Sequence, residues 1–185
     1  MKKPLEQMTL QELWELFPIT LISHNEGWRN SACAEITALS RLLHNFNPVI
    51  NHIGSTAIPD IPAKPVIDLL VEISPDIKWH EIKDIMQKSG YICMSESEHR
   101  VSFNKGYTPD GYAPEVFHIH FHRTGDRNEI IFRDYLIAHP EDAKAYGTLK
   151  RSLLPKFAQD RDAYTEAKSE FIDRILAKAS KKHRQ

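Results

Sequence analysis

Apolar residues recur at three- and four-residue steps through Trp28, Ala32, Ile36, Leu39, Leu43 and Phe46, which predicts a long amphipathic helix over 28–46. Asn45-Phe46-Asn47-Pro48 stops it. Residues 49–53 then read as a short core strand, followed by a Gly54-Ser55 turn and a Pro-punctuated loop. The run over 66–73 is almost continuously apolar, the pattern of a strand covered on both faces, yet it carries Asp68. Upstream, Thr9-Leu-Gln-Glu12 is a capping box for a short helix that Pro18 ends, and 19–26 is a connector with some strand character.

Downstream, Ser74-Pro75-Asp76 starts a helix whose buried face is Trp79, Ile82, Ile85 and Met86, and Gly90 ends it. Segments 91–94, 99–104 and 116–123 read as three more strands. The Gly, Pro and Asp content of 105–114 marks a turn or mobile loop. The last third is helical. One helix covers 130–138, a second restarts at Pro140 with Glu141 and Asp142 and ends before Pro155, and Asp160 or Asp162 caps a last one. Tyr164, Ala167, Phe171, Ile175 and Leu176 are its apolar stripe. About five strands among flanking helices predict an α/β or α+β fold, with 1–185 as a single domain whose C-terminal helices run from about 128 to 180.

Composition narrows the function more than the fold. A chain of 185 residues with formal net charge −1 has no electrostatic footprint for general nucleic-acid binding. The basic run at 181–184 reads as a solvated, frayed terminus. Cys33 and Cys93 fit no metal or redox spacing and are expected as small core residues in a reducing compartment. Lys2 and Lys3 are not followed by an apolar stretch like that of a signal peptide, and no apolar run is long enough to span a bilayer. A cytoplasmic protein is expected. There is no Gly-x-Ser-x-Gly elbow, dinucleotide fingerprint or Walker A loop.

The candidate chemistry lies in two stretches. Gly54 permits a sharp turn whose free N–H groups, with the Ser55 hydroxyl, can hold phosphate oxygens. Asp68, with twelve residues between it and Ser55, can hold a cation that bridges them. Alternation puts Asp68, Leu70 and Glu72 on one face. In Phe117-His-Ile-His-Phe-His122, alternation likewise puts His118, His120 and His122 together, a set that can bind a transition metal or bond phosphate oxygens. The plainer reading is a half-exposed strand with polar residues outward, which is favoured for His122. Among lone basic residues, Lys64 is the strongest candidate to offset phosphate charge, ahead of Arg100, Lys105 and Arg133. Tyr164 and Lys168, one helical turn apart, read first as packing.

These residues carry a resemblance. His52-Ile-Gly-Ser-Thr-Ala-Ile-Pro59, Ala63-Lys-Pro-Val-Ile-Asp68, Phe117-His-Ile-His120, Phe132-Arg-Asp-Tyr-Leu136, His139-Pro-Glu-Asp142 and Asp162-Ala-Tyr-Thr-Glu-Ala-Lys168 resemble the GrpB family, in order, over most of the chain. A similar domain is fused to dephospho-coenzyme A kinase in some bacteria. The family is assigned to the nucleotidyltransferase superfamily typified by DNA polymerase beta. The resemblance therefore implies a minimal nucleotidyltransferase core, with Gly54-Ser55 on a nucleotide triphosphate and Asp68 on Mg²⁺. Leu70 stands where that superfamily has its second carboxylate, Glu72 lies about 6.6 Å further along, and the later strand offers His118 and His120 in place of an acid.

The expected function is binding of a nucleotide or other phosphorylated small molecule with Mg²⁺, and nucleotidyl transfer to an unidentified acceptor. Gly54, Ser55, Lys64 and Arg100 would bind phosphate, Asp68, His118 and His120 would hold the metal, and Asp68 and His120 would be catalytic. Two alternatives stay open. One is a non-catalytic sensing or scaffold module, which Leu70 favours. The other is a transition-metal site built on the histidines.

Overall fold

A computed structural model describes residues 2–158 and 160–182. Its elements are α1 (Leu10–Leu16), α2 (Gly27–Leu42), β1 (Val49–Ile53), β2 (Ile67–Ile73), α3 (Trp79–Lys88), β3 (Ile92–Glu96), β4 (Arg100–Thr108), β5 (Gly111–Arg123), α4 (Asn128–Ala138), α5 (Pro140–Phe157), α6 (Arg161–Glu166) and α7 (Ser169–Lys182). The five strands form one mixed sheet in the order β1-β2-β5-β4-β3. Only the β2–β5 pairing is parallel. The α/β architecture is therefore as expected.

Side-chain alternation sorts the two faces of this sheet. Leu69 and Val71 of β2, Phe117, Ile119 and Phe121 of β5, and Val101 and Phe103 of β4 point to one side. There they meet Trp28, Ala32, Leu39 and Leu43 of the α2 segment and Trp79, Ile82 and Met86 of α3. Each such side chain taken out of water contributes about 1.5–3 kcal/mol, so this face is the main core. The opposite face is mixed, with Asp68, Leu70 and Glu72 paired in register with His118, His120 and His122. A second core beyond it joins Ile58 and Ile61 of the Pro-rich loop to Phe132, Leu136, Tyr146, Phe171 and Ile175 of the C-terminal helices.

Several boundaries differ from those expected. The helix of 28–46 ends at Leu42 and gives way to a 3-10 turn, His44–Phe46, where Asn47 takes the left-handed conformation. The connector at 19–26 contributes a single bridge, Ile22 to Ala63. The expected loop at 105–114 is instead paired strand, because β4 and β5 extend through it and close at Thr108 and Gly111. Gly106, with φ of 90°, takes up the register shift between Lys105 and Tyr107, which is what the glycine there serves. Helix α5 continues through Pro155 to Phe157. A proline in the last turn frees one carbonyl there, while the continued helix packs Phe157 against Ile19, Leu153 and Tyr164. The final helix breaks into α6 and α7, and Asp160 caps α6 by accepting from Ala163 N–H at 2.9 Å.

Thr9 and Glu12 form the expected capping box. Cys33 is exposed, a correction to its expected burial: it lies on the outer side of α2, while Cys93 packs against the core. Lys181 and Lys182 close α7, and residues 183–185 of the basic tail lie outside those described. Among the described residues no helix is long and apolar enough to cross a membrane.

Three buried polar groups show where charges are committed to the fold. Glu35 of α2 accepts from Lys105 at 2.8 and 2.9 Å and from Tyr91 at 2.6 Å. His122 is buried rather than half-exposed, since Asp126 and Glu129 near the start of α4 cover it. Glu72 is held by Arg127, whose Nε lies 3.1 Å from both carboxylate oxygens and whose Nη2 lies 3.0 Å from Oε2. Arg127→Ala would leave that buried carboxylate unpaired. The expected loss is about 2–3 kcal/mol or more, read by urea or thermal unfolding, and Arg127→Lys should recover only part of it.

Candidate phosphate and cation site

Strand β1 delivers the chain to Gly54, where φ is 71° and ψ −171°, and a 3-10 turn, Ser55–Ala57, comes next. Because β1 pairs antiparallel with β2, Ile53 stands opposite Asp68 and Gly54 lies directly against the Asp68 carboxyl. A Cβ at position 54 would collide with Asp68 Oδ2 and stand 3.0 Å from its Cβ. The glycine thus serves both the backbone conformation and the close approach. The turn is pinned by His52 Nε2, 2.9 Å from Thr56 Oγ1, and by Arg133, which donates to the His52 carbonyl at 2.6 Å. Burial, with Arg133 nearby, pushes the His52 imidazole down to about 4, against the pull of Asp68.

The parallel β2–β5 register brings the histidines to Asp68. Its Oδ1 is 3.4 Å from His118 Nδ1 and 3.5 Å from His120 Nε2. Burial raises the Asp68 carboxyl, but the two imidazoles beside it outweigh that and hold it well below the usual carboxylate range. His118 is oriented from behind by Tyr107, whose hydroxyl is 2.8 Å from Nε2 and whose ring stacks on the imidazole. Residue 107, placed by sequence in a loop, is a site neighbour because β4 continues past the bulge.

Across a cavity of about 570 Å³, Lys64, Lys150 and Lys168 face this group. They come from the Pro-rich loop, from α5 and from the turn between α6 and α7. Lys150 Nζ donates to the Pro62 carbonyl and lies 4.7 Å from the Tyr146 ring centroid. Lys168 and Lys64 lie over the Tyr164 ring at 4.6 and 5.6 Å. Burial lowers Lys64, burial and the neighbouring cations push Lys150 to about 7, and burial with Lys64 pushes Lys168 to about 8. Ion pairs elsewhere engage Lys2, Lys3, Lys83, Arg100, Lys105, Arg127, Arg133 and Lys178, and none among the described residues engages these three lysines.

Gly54, Ser55, Lys64, Asp68, His118 and His120 therefore converge on one cavity. Arg100 also lines it, but its guanidinium is taken by Asp126 at 2.6 Å and by Glu129 at 3.5 Å, which leaves it poorly placed to bind phosphate. Lys105 is turned to Glu35 on the other side of the sheet. Lys168 belongs to the cavity rather than to packing alone. Lys150 and Tyr146 are site residues that sequence reasoning missed. Their signal is a lysine on the buried face of α5, in step with Ala143, Tyr146, Gly147 and Leu153.

The donors can be set against the paired Mg²⁺ ions of nucleotidyl transfer. Leu70 is fully buried at the second carboxylate position, and Glu72 is bound to Arg127. The acidic pair that would clamp two ions is thus absent, and a carboxylate with two imidazoles stands in its place.

The model of the GrpB protein family matches residues 18–178, and the chain belongs to that family. It is 32% identical over 164 residues to a UPF0157 protein of Pseudomonas aeruginosa, covering 87% of this chain and 67% of that one. A UPF0157 protein of Bacillus subtilis is 30% identical over 172 residues, 90% of this chain but 49% of its own length. The crystal structure of conserved protein GrpB from Enterococcus faecalis superposes with a TM-score of 0.75 at 28% identity, covering 90% of this chain and all of that one. At the level of fold alone, the chain is similar to the Cid1 poly(U) polymerase bound to MgGTP, with a TM-score of 0.51 and 15% identity over 74% of this chain and 43% of that one. The fold is nucleotidyltransferase-like.

Gly54→Ala should displace the Asp68 carboxylate while leaving the two cores intact. The expected outcome is a folded protein with a lower melting temperature and shifted imidazole signals for His118 and His120 in NMR spectra; unchanged signals would show that the contact does not position Asp68.

Proposed function

We propose that this protein binds a nucleotide or another phosphorylated small molecule between the sheet and the C-terminal helices, in the cytoplasm. Phosphate oxygens would lie on the Gly54-Ser55 turn and on Lys64, Lys150 and Lys168, with a cation at Asp68 on the opposite wall. The observation that carries this reading is the lysine cluster. Three desolvated ammonium groups repel one another on one wall of an open cavity, an arrangement that costs stability until an anion occupies it. The likeness of the fold to a polymerase bound to MgGTP supports a nucleotide as the phosphorylated ligand.

Leu70 favours a second reading of the step after binding. A transferase of this fold would release pyrophosphate and join the nucleotidyl group to an acceptor. With the acidic pair incomplete, a module that binds and senses its ligand is the alternative. Turnover assays for pyrophosphate release across the four NTPs separate the two, because a module binds without releasing it.

Titration calorimetry with the four NTPs, with and without Mg²⁺, tests the binding itself. Absence of binding to all four would remove the nucleotide reading. The pH dependence comes from the lysines. Lys150, faced by Lys64, Lys168, Arg151 and Asp68, loses its proton near 7, and Lys168, faced by Lys64 and Asp68, near 8. A bound polyphosphate stabilises the ammonium forms, so affinity should be greatest below both values and fall as pH rises through them, with proton uptake on binding.

Lys168→Met separates stability from function. The folded-state depression of this lysine means that its charge opposes folding near neutral pH. The variant should melt about 2–4 °C higher, as about 1 kcal/mol gives in a domain of this size. It should bind ATP about 10–100-fold more weakly through the lost charge-assisted contact. A variant that binds ATP as tightly as the parent would exclude Lys168 from the phosphate site.

A further inference from the structure

We propose that Asp68, His118 and His120 hold a single transition-metal ion, of the Zn²⁺, Mn²⁺, Fe²⁺ or Co²⁺ class, in place of the Mg²⁺ ions that nucleotidyl transfer uses. This deepens the reading above and rests on it only for the identity of the ligand that would complete the metal's shell.

The distances point to a metal more than to hydrogen bonds. N–H···O bonds cluster near 2.9–3.0 Å, whereas His118 Nδ1 and His120 Nε2 stand 3.4 and 3.5 Å from the same oxygen, Asp68 Oδ1. Two ligand atoms bound at about 2.1 Å in a tetrahedral shell are about 3.4 Å apart. Both histidine–carboxylate separations therefore match edges of such a shell, and the three donor atoms all lie within 4.8 Å of one another. The donor chemistry agrees. Mg²⁺ selects oxygen and keeps its waters, while two imidazoles with one carboxylate suit borderline transition metals.

The surroundings supply the orientation that such ligands need. Tyr107 holds His118 Nε2 at 2.8 Å and so keeps Nδ1 turned to Asp68. Its ring is packed by Phe17 at 4.8 Å and Tyr112 at 5.4 Å between centroids, which limits its own freedom. Tyr107 is thus a positioning residue. Three protein donors leave at least one coordination position open, and the cavity that holds the lysines adjoins it. A phosphate oxygen fits that position, because the lysines neutralise the rest of the same anion.

A second histidine–carboxylate group, His122 with Asp126 and Glu129, is a built-in comparison. There Arg100 already supplies the cation, 2.6 Å from Asp126 and 3.5 Å from Glu129. Among the described residues no lysine or arginine is paired in this way with Asp68. The two groups are alike in donor type and opposite in occupancy by a side chain.

The test uses the full chain without a polyhistidine tag, stripped with chelator and titrated with Co²⁺ by visible absorption. The expected result is one ion per chain with d–d bands that millimolar Mg²⁺ does not displace. His120→Gln should abolish the bands, with His118→Gln as the second variant if the first does not melt cooperatively. Tyr107→Phe should weaken Co²⁺ by about 10–100-fold and alter the bands without a matching loss of melting temperature. Glu129→Gln should leave them unchanged. Failure to bind Co²⁺ at this stoichiometry, displacement by Mg²⁺, or bands lost in Glu129→Gln but kept in His120→Gln would each overturn the assignment. ATP binding measured without added metal reads the phosphate site separately. Co²⁺ binding without ATP binding would remove the proposed function and keep the metal, and the reverse would do the opposite.

Discussion

The parallel pairing of β2 with β5 is the constraint on which the site depends. It sets Asp68 opposite His118 and Leu70 opposite His120, and it turns all four to one side of the sheet. The register is enforced from the other side, where Leu69, Val71, Phe117, Ile119 and Phe121 are buried in the main core. A slip of one residue would turn those apolar groups to the cavity and the ionisable groups into the core, at a cost far above the stability of a domain this size. The geometry of the polar face is therefore held by hydrophobic burial on the other one.

The polar face also explains why ionisable groups so near one another do not collapse into mutual salt bridges. Glu72 and His122, farther along the same strands, have partners from the segment at 126–129. Asp68 keeps its histidines, and the lysines stand on the far wall over the Tyr146 and Tyr164 rings. Charge is thus sorted along the strands, with structural pairs at one end and an open arrangement at the other. Leu70, between Asp68 and Glu72, is the apolar divider.

Much of this was legible in the sequence because it is local. Alternation around His118 and His120 and Asp68 in an apolar run come from period-two patterning, the Gly54-Ser55 turn comes from its glycine, and these residues lie on or beside the strands so expected. The parts that were not legible are those decided by tertiary contact. A Gly- and Pro-rich segment became paired strand because the Gly106 bulge let β4 follow β5, and this brought Tyr107 to the site. Helix α5 ran through Pro155, and Phe157 beyond the proline had a core to pack against. Lys150 was missed because its place in step with Ala143, Tyr146, Gly147 and Leu153 gains meaning only once a second layer covers that face of α5. Arg100 looked like a phosphate ligand because Asp126 and Glu129 become its partners only when β4 meets the start of α4.

The origin of the three lysines has a mechanical meaning. Each is carried by a different part of the chain, so the cavity's cationic wall is assembled from pieces whose charges push them apart. An anion seated among them would act as a clasp, drawing the Pro-rich loop, α5 and the α6–α7 turn toward the sheet. Occupancy would then be expressed as stiffness of the C-terminal helices.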